Sequence, residues 1–397
     1  MKKTLYTGKT LFTANSAGEM IRDFALLVED GRIRWVGKKA EMDETSEMEQ
    51  VDLGDAFVMP GLIDAHVHLI GGSGGEDIPA HACENRRVSA MICRGAANAK
   101  ALLKAGVVAC RDLGSVGGYA LGLRDSVDAG ELAGPQVQAC GYAICATGGH
   151  GYGITYEADG KDAVTRCVRQ VVKDGADVVK LMVSGGVNSP GPEPGPCELS
   201  MDEIQSGVDA AHAPGRKVAV HTHGNTAIRR CVESRGRFHR ARRVHERRHH
   251  GDDEGTGHVF CADAQRALPC GQRGAPARPG QSGPSKKRRG DRAPRSVLKR
   301  CAEIGVKIAM GTDAGCPFNP YSGVPYELVL MHQAGLTAEQ ALLAAYARRS
   351  GAARHRARDW FDRAGQAGVF SYTARTCSSR SKRRQTRTVI HNGIKVD

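Results

Sequence analysis

The chain has 397 residues, of which 41% are hydrophobic, and its 56 Lys and Arg outweigh 43 Asp and Glu to give a net charge of +13. Its 13 cysteines are odd in number and include no Cys-x-x-Cys pair, which argues against a disulfide framework or a zinc ribbon and for a reducing compartment. Met1-Lys2-Lys3 leads into polar residues and no apolar run is long enough to span a bilayer, so a secreted or membrane-embedded chain is not expected and a cytoplasmic one is.

In chain order, residues 1–57 read as the N-terminal part of a small β-domain. Leu26-Leu27-Val28-Glu29-Asp30-Gly31-Arg32-Ile33-Arg34-Trp35-Val36 is its hairpin, with an Asp-Gly centre suited to a type I′ turn. Next comes Val58-Met59-Pro60-Gly61-Leu62-Ile63-Asp64-Ala65-His66-Val67-His68-Leu69, an apolar strand ending in His-x-His. Side chains two apart on a strand share a face, so both imidazoles converge on one point, as two ligands of one metal must. Two histidines on the polar face of a surface strand would look similar. Here the flanks are apolar, as in buried parallel strands, and the metal reading is favoured.

Gly106 to Asp112 reads as another strand, and Asp162 to Asp174 as an amphipathic helix. Val178-Val179-Lys180-Leu181-Met182-Val183-Ser184-Gly185-Gly186 is an apolar run with a lysine inside, and Val218-Ala219-Val220-His221-Thr222-His223-Gly224 ends in a second His-x-His. Val306 to Gly315 ends in Gly311-Thr312-Asp313-Ala314-Gly315. Ser200 to Glu203 and Thr337 to Gln340 fit the capping box that opens a helix. Strands alternating with helices imply an α/β fold with a parallel sheet and helices outside.

In order and wording these strand ends resemble the amidohydrolase superfamily, in the branch of imidazolonepropionase-like proteins and metal-dependent dipeptidases of the prolidase type. The resemblance covers roughly residues 1–233 and 296–345, with a short return at the C-terminus. It implies a (β/α)8 TIM-type barrel over residues 58–345, with a small β-sandwich domain built from 1–57 and the last strand, 389–397. It also implies that His66 and His68 hold one divalent ion, that His221 helps hold a second, and that Lys180 bridges them as a carbamate. Asp313 would be both ligand and proton acceptor, and zinc is the implied metal. The chemistry agrees, because a buried neutral lysine can capture carbon dioxide and become an anion that two cations stabilise. Two ions roughly 3.5–4 Å apart can share a hydroxide and polarise a carbonyl. Residue by residue, Lys180 also fits a strand-end lysine reaching to solvent, and Asp313 a helix N-cap.

Loops at the strand ends should choose the substrate. Ala146-Thr147-Gly148-Gly149-His150-Gly151-Tyr152 resembles the family's substrate-facing loop, so His150 is a candidate to polarise a carbonyl or meet a carboxylate, beside the alternative of a surface histidine. The turn-rich stretch Gly185 to Gly195 lacks both the Walker and the dinucleotide spacing and reads as a rigid active-site loop. His223 is placed to touch substrate or to hydrogen-bond His221.

Two segments break the pattern. Residues 234–295 hold 16 Lys and Arg against 6 Asp and Glu with only five of Ile, Leu, Val, Phe and Met, and residues 346–388 hold 12 against 2. Each is net +10, so the rest of the chain is net negative. The family's sixth-strand histidine, in a Glu-His-Gly setting, has no counterpart after Glu233; His239, His245, His249 and His250 match it by residue type alone. Basic disordered arms for nucleic acid or another polyanion are one reading. The preferred reading is two reading-frame errors: read one base later, the codons over Arg240, Ala241 and Arg242 can spell Glu-His-Gly, and three further stretches can spell family-like segments. As written, the barrel is expected to lack its sixth and seventh strands, to leave its edges unpaired, and to be impaired as an enzyme. The expected function is hydrolysis of an amide bond in a small substrate such as a dipeptide or N-acyl amino acid through a metal-bound hydroxide. A cyclic amide hydrolase is the alternative, nucleic acid and membrane are not expected partners, and a homo-oligomer is left open.

Overall fold

In the computed structural model the described residues are 2–15, 17–42, 48–71, 84–186, 195–236, 259–262, 293–316, 319–346, 370–375, 385–391 and 394–396. Five strands open the chain: β1 (Lys3–Phe12), β2 (Met20–Glu29), β3 (Arg32–Lys38), β4 (Glu49–Asp52) and β5 (Phe57–Pro60). β2 and β3 pair antiparallel across Asp30 and Gly31, whose φ values of 48° and 76° are the left-handed pair that a type I′ turn requires. β1 pairs antiparallel with β2 and parallel with β4 and β5. Tyr6, Leu11, Phe24, Leu26, Val28 and Val58 bury a small core on this sheet.

The barrel strands follow. β6 (Leu62–Val67) leads to α1 (Glu84–Lys104), β7 (Val107–Asp112), α2 (Ala120–Asp128) and β8 (Gln136–Ala139). β6, β7 and β8 are parallel neighbours. Then come β9 (Ala143–Cys145), β10 (Thr155–Glu157), α3 (Lys161–Lys173), β11 (Val178–Met182), α4 (Met201–His212), β12 (Lys217–His221) and α5 (Asn225–Gly236). β11 and β12 are parallel, and the Asp177 amide donates to the Ala139 carbonyl, which joins β11 to β8. Val179 and Leu181 pack with Val164, Val168, Ile204 and Val208 of α3 and α4. Since strand side chains alternate, Lys180 faces the other way, into the barrel. In register with Lys180 and Met182 stand Ala219 and His221 on β12, which face the same side.

β13 (Val259–Ala262), α6 (Ala293–Glu303), β14 (Lys307–Met310), α7 (Val324–Gln333) and α8 (Ala338–Ala344) complete the barrel layer. β14 meets β6 through the Asp313 amide on the His66 carbonyl and the His68 amide on the Ala314 carbonyl, each 2.8 Å. The larger core, including Leu102, Val107, Leu123, Met310, Met331 and Leu336, lies between these strands and the helices outside them. The described ring therefore runs from β13 through β14, β6, β7 and β8, which the Asp177–Ala139 bond and the pairing of β9 with β11 join to β11 and β12.

Two expectations are corrected here. The segment 234–295 was read as unable to supply a seventh strand, yet Val259-Phe260-Cys261-Ala262 pairs in parallel with Lys307 to Met310. Four consecutive apolar residues suffice for a short buried strand, and a segment-wide charge count hides them. The segment 346–388 was read as outside the β-domain, yet β15 (Phe370–Arg375) pairs antiparallel with β5 and with β16 (Gln385–His391), which pairs with β17 (Ile394–Val396). Phe370-Ser371-Tyr372-Thr373 alternates apolar and polar as a half-exposed strand does, and the expected single strand over 389–396 is a hairpin. The small sheet thus has eight strands, ordered β17-β16-β15-β5-β1-β2-β3 with β4 beside β1, and Phe370 of β15 stands opposite Pro60 of β5. The sixth-strand position and His239, His245, His249 and His250 lie outside the described residues, as do the codons read as frame-shifted over 240–242.

Both capping boxes are present. The Ser200 hydroxyl accepts from the Glu203 amide at 3.3 Å, while the Glu203 carboxylate takes the Ser200 amide at 2.6 Å and the Gly160 amide at 2.6 Å. Partial burial alone would raise the Glu203 pKa, but the Ser200 and Gly160 bonds outweigh it and hold the carboxyl below its ordinary value. Replacing Ser200 by Ala is expected to cost about 1 kcal/mol in urea unfolding at neutral pH. Because the Glu203 pKa is depressed on folding, its contribution is complete above the ordinary carboxylate pKa and is lost as acid takes pH down through the folded value. The stability gap between the chain and its Glu203→Gln variant should therefore close in acid, and a gap independent of pH would contradict the box.

Candidate metal centre

β6 ends at the mouth of the ring, where His66 and His68 follow each other on alternate residues. Their imidazoles lie 5.2 Å apart between centroids. Asp313 comes from the turn after β14, and its Oδ1 is 3.0 Å from His68 Nε2 and 3.5 Å from His66 Nε2. One ligand atom from each of the three falls within 4.8 Å of the others, and among the described residues this is the one group of His, Cys, Asp or Glu donors close enough to share a metal.

The geometry around His68 says what kind of group belongs there. Its Nδ1 is 2.7 Å from the Gly114 carbonyl, which only accepts, so Nδ1 carries the proton. The neutral ring then presents a lone pair from Nε2 to an Asp313 carboxylate oxygen 3.0 Å away. Two acceptors at that distance require a cation between them, either a second proton on His68 or a metal ion, and the donor set of two imidazoles and a carboxylate suits a divalent ion. Burial opposes a charged His68, but the Asp313 bond and charge, with Asp112 behind them, outweigh it and raise the pKa above its ordinary value.

Asp313 itself has φ 57°, a left-handed conformation that aspartate tolerates better than most residues. Its neighbours hold it there. Thr312 donates its hydroxyl to Asp64 Oδ2 at 2.6 Å and its amide to Asp64 Oδ1 at 3.1 Å, and Asn319 Nδ2 donates to the Thr312 carbonyl. Asp64 is fully buried, which drives its carboxyl up to about 7 against the opposing pull of the Thr312 hydroxyl and the His66 and Thr312 amides. Cys316 Sγ lies 3.2 Å from Asp313 Oδ1 as a thiol donor.

A second group of side chains gathers on the four-stranded side. The His150 and His221 rings stack at 4.3 Å between centroids, and His223 meets His221 edge-on at 4.6 Å. The His150 ring lies so close to Gly186 that a Cβ there would come within 2.2 Å of it. The His150 amide donates to Glu198 Oε2 at 2.9 Å, and the His223 amide donates to Ser184 Oγ at 2.7 Å. Lys180 is 3% exposed. The structure therefore brings His66, His68 and Asp313 into one group and His150, His221 and His223 into another, with Lys180 buried on β11 beside β12 and His221 standing outside the three-donor group.

Sequence reasoning missed Asp64, Asp112 and Glu198. Asp64 was within reach, since it precedes His66 by two on the same strand face, and Asp112 is the acidic end of an otherwise apolar strand. Glu198 follows a turn-rich loop and carries no local signal.

Comparisons with known proteins agree with this architecture. The amidohydrolase family profile matches residues 57–346. An ochratoxinase from Aspergillus niger is 29% identical over 256 residues, covering 55% of this chain and 50% of that protein. Imidazolonepropionase from Paraburkholderia phymatum is 38% identical over 73 residues, 18% of each chain. The chain thus spans about half the length, or less, of these curated relatives. Among solved structures, a Xaa-Pro dipeptidase with bound methionine in the active site has a TM-score of 0.76 and 23% identity over 99% of both chains. A putative prolidase from Bifidobacterium longum has a TM-score of 0.72 and 22% identity, covering 99% of this chain and 94% of that one. These two likenesses concern the fold. With parallel strands inside, helices outside and a profile match over most of its length, the chain belongs to the amidohydrolase family and has its TIM-barrel fold.

Proposed function

We propose that the chain hydrolyses an amide bond in a small substrate, a dipeptide or an N-acyl amino acid. The observation that carries this reading is the convergence of His66, His68 and Asp313 within 4.8 Å, with a cation required between His68 and Asp313. On this reading His66, His68 and Asp313 would hold one divalent ion and His221 would help hold a second, while Lys180, facing the same interior, would supply an anionic oxygen ligand once its amine had added carbon dioxide and lost a proton. Divalent ions in this place, zinc by preference, would act as Lewis acids and make water a nucleophile at neutral pH.

The remaining work falls to the chain's own side chains. Asp313 takes the proton from the attacking water and returns it to the leaving nitrogen, as a carboxylate held at fixed orientation can. The Gly114 carbonyl keeps the His68 Nε2 lone pair turned toward Asp313. His150, stacked on His221 and seated on Gly186, is placed to meet the substrate carbonyl or carboxylate, with His223 beside it. The nine cysteines found free among the described residues suit the reducing, cytoplasmic setting we infer. Among the described residues no helix is long and apolar enough to cross a membrane.

The names of the structural neighbours set the first substrates to try, Xaa-Pro dipeptides, and the imidazolonepropionase stretch adds cyclic amides as a second reading. The chain loaded with zinc, manganese or cobalt should release product from at least one N-acyl amino acid or dipeptide. Absence of turnover across the whole panel with every metal, in the chain as written and in a chain encoded in the shifted frames alike, would remove the proposal. Asp313→Asn should lower kcat by about 10²- to 10⁴-fold, the usual worth of a proton-transfer group. Metal content by elemental analysis should drop in His68→Ala, with affinity reduced by more than about 100-fold. A side chain at Gly186 would collide with the His150 ring, so Gly186→Ala should raise KM more than it lowers kcat; the reverse split would detach His150 from substrate binding. If the basic segments reflect frame errors, a chain encoded in the shifted frames should turn over faster than the chain as written.

A further inference from the structure

Two buried carboxylates flank the three-donor group without belonging to it. Asp112 closes β7 at 0% exposure, and its Oδ2 accepts the Leu69 amide at 2.6 Å, directly after His68. Its Oδ1 accepts the Gly114 amide at 3.1 Å, and both oxygens accept from the Ser115 hydroxyl, at 2.9 and 2.8 Å. Gly114 is the residue whose carbonyl takes the His68 Nδ1 proton. Asp112 therefore grips both ends of the linkage that aims His68: the backbone after the ring and the peptide that orients it. Asp64 has the matching place on the other side. Its Oδ1 accepts the His66 and Thr312 amides, both at 3.1 Å, and its Oδ2 accepts the Thr312 hydroxyl at 2.6 Å.

We infer that Asp112 and Asp64 are positioning residues, Asp112 fixing the tautomer and aim of His68 and Asp64 fixing His66 and Asp313 against each other across the seam between β6 and β14. The inference rests on the reading of His66, His68 and Asp313 as metal-holding residues. The two carboxylates differ in what faces them, and this makes them separable. Both oxygens of Asp112 face backbone amides, which can only donate. An asparagine there must turn its NH2 against either the Leu69 or the Gly114 amide, leaving a buried donor facing a donor. At Asp64 both backbone amides share Oδ1, while Oδ2 faces a hydroxyl that can rotate and accept. An asparagine at 64 can keep its oxygen on the amides and give its NH2 to Thr312 Oγ1. A general destabilisation by loss of buried charge predicts no such ranking.

The test measures Zn2+ affinity of the full chain by competition with a chromophoric chelator, alongside 15N NMR of the His68 ring in metal-free protein. Asp112→Asn should weaken Zn2+ binding by about 10- to 100-fold, the usual effect of removing a group that orients a ligand, and Asp64→Asn should weaken it less. The His68 signal should show an Nδ1-protonated ring in the parent chain and lose that preference in Asp112→Asn. Ile204→Ala, in the core cluster between α3, α4 and the outward face of β11 and separate from the cluster around β6 and β14, serves as the control for stability loss and should leave both readouts unchanged. Should Asp112→Asn fail to fold, Ser115→Ala keeps the carboxylate, removes one of its donors and should shift the same two readouts in the same direction. A parent that binds no Zn2+ but whose His68 tautomer still depends on Asp112 would sink the metal reading and sustain the positioning role. Unchanged tautomer and affinity in Asp112→Asn, an Asp64→Asn defect as large as that of Asp112→Asn, or an equal defect in Ile204→Ala would overturn the inference.

Discussion

The seam between β14 and β6 is the contact on which the candidate centre depends. It joins residues 248 apart in sequence, Asp64 and Thr312, and it sets Asp313 against His66 and His68. The backbone pairs Asp313 with His66 and His68 with Ala314, and the Tyr321 hydroxyl donates to the His68 carbonyl at 2.7 Å. Gly315 packs so close to that carbonyl, at φ 96°, that a Cβ would stand 2.2 Å from it. A bond to a buried charged group is worth about 1.5–3 kcal/mol, and the several made by Asp64 help offset the cost of burying its carboxylate. Burial with satisfied donors is what turns an unfavourable charge into a specific fastening, because any other register would leave that charge without partners.

Strain and fastening meet at one residue. Asp313 sits in left-handed backbone, which costs a non-glycine residue of order 1 kcal/mol and persists only where the surroundings over-determine it. Here they do: its own amide is bound to the His66 carbonyl, Thr312 before it is bound to Asp64 and Asn319, and its carbonyl accepts the Cys316 amide at 3.2 Å. The conformation turns the carboxylate back onto the two histidines instead of along the strand. A carboxylate presented this way has little freedom to lose when a cation or a proton arrives, and that is the physical meaning of preorganisation at such a centre.

Much of this was legible in the residue string, and what was not has identifiable reasons. His66 and His68 were readable as a pair because period-two alternation puts both rings on one face of an otherwise apolar strand. The Asp30-Gly31 hairpin and both capping boxes were readable because each depends on residues within four positions of one another. Val259 to Ala262 and Phe370 to Arg375 were missed because charge counted over dozens of residues averaged away four- and six-residue strands whose pairing partners lie far off, at β14 and β5. Asp64 was visible as a residue but not as a fastening, since its chief partner lies 248 positions away and no local pattern announces it. Glu198 and the stacking of His150 on His221 needed the register of β11 against β12 before they could be placed.

The donors implied by the family resemblance stand on different foundations in this chain. His66, His68 and Asp313 come from β6 and β14, which are fastened directly to each other by backbone bonds and by Asp64. His221 comes from β12, the last strand of the described ring, whose one described neighbour is β11. The aim of His221 is further set by what it packs against, the rings of His150 and His223. Among the described residues, His66, His68 and Asp313 are therefore positioned by main-chain bonding and buried charge across one seam, and His221 by its pairing with β11 and by ring packing.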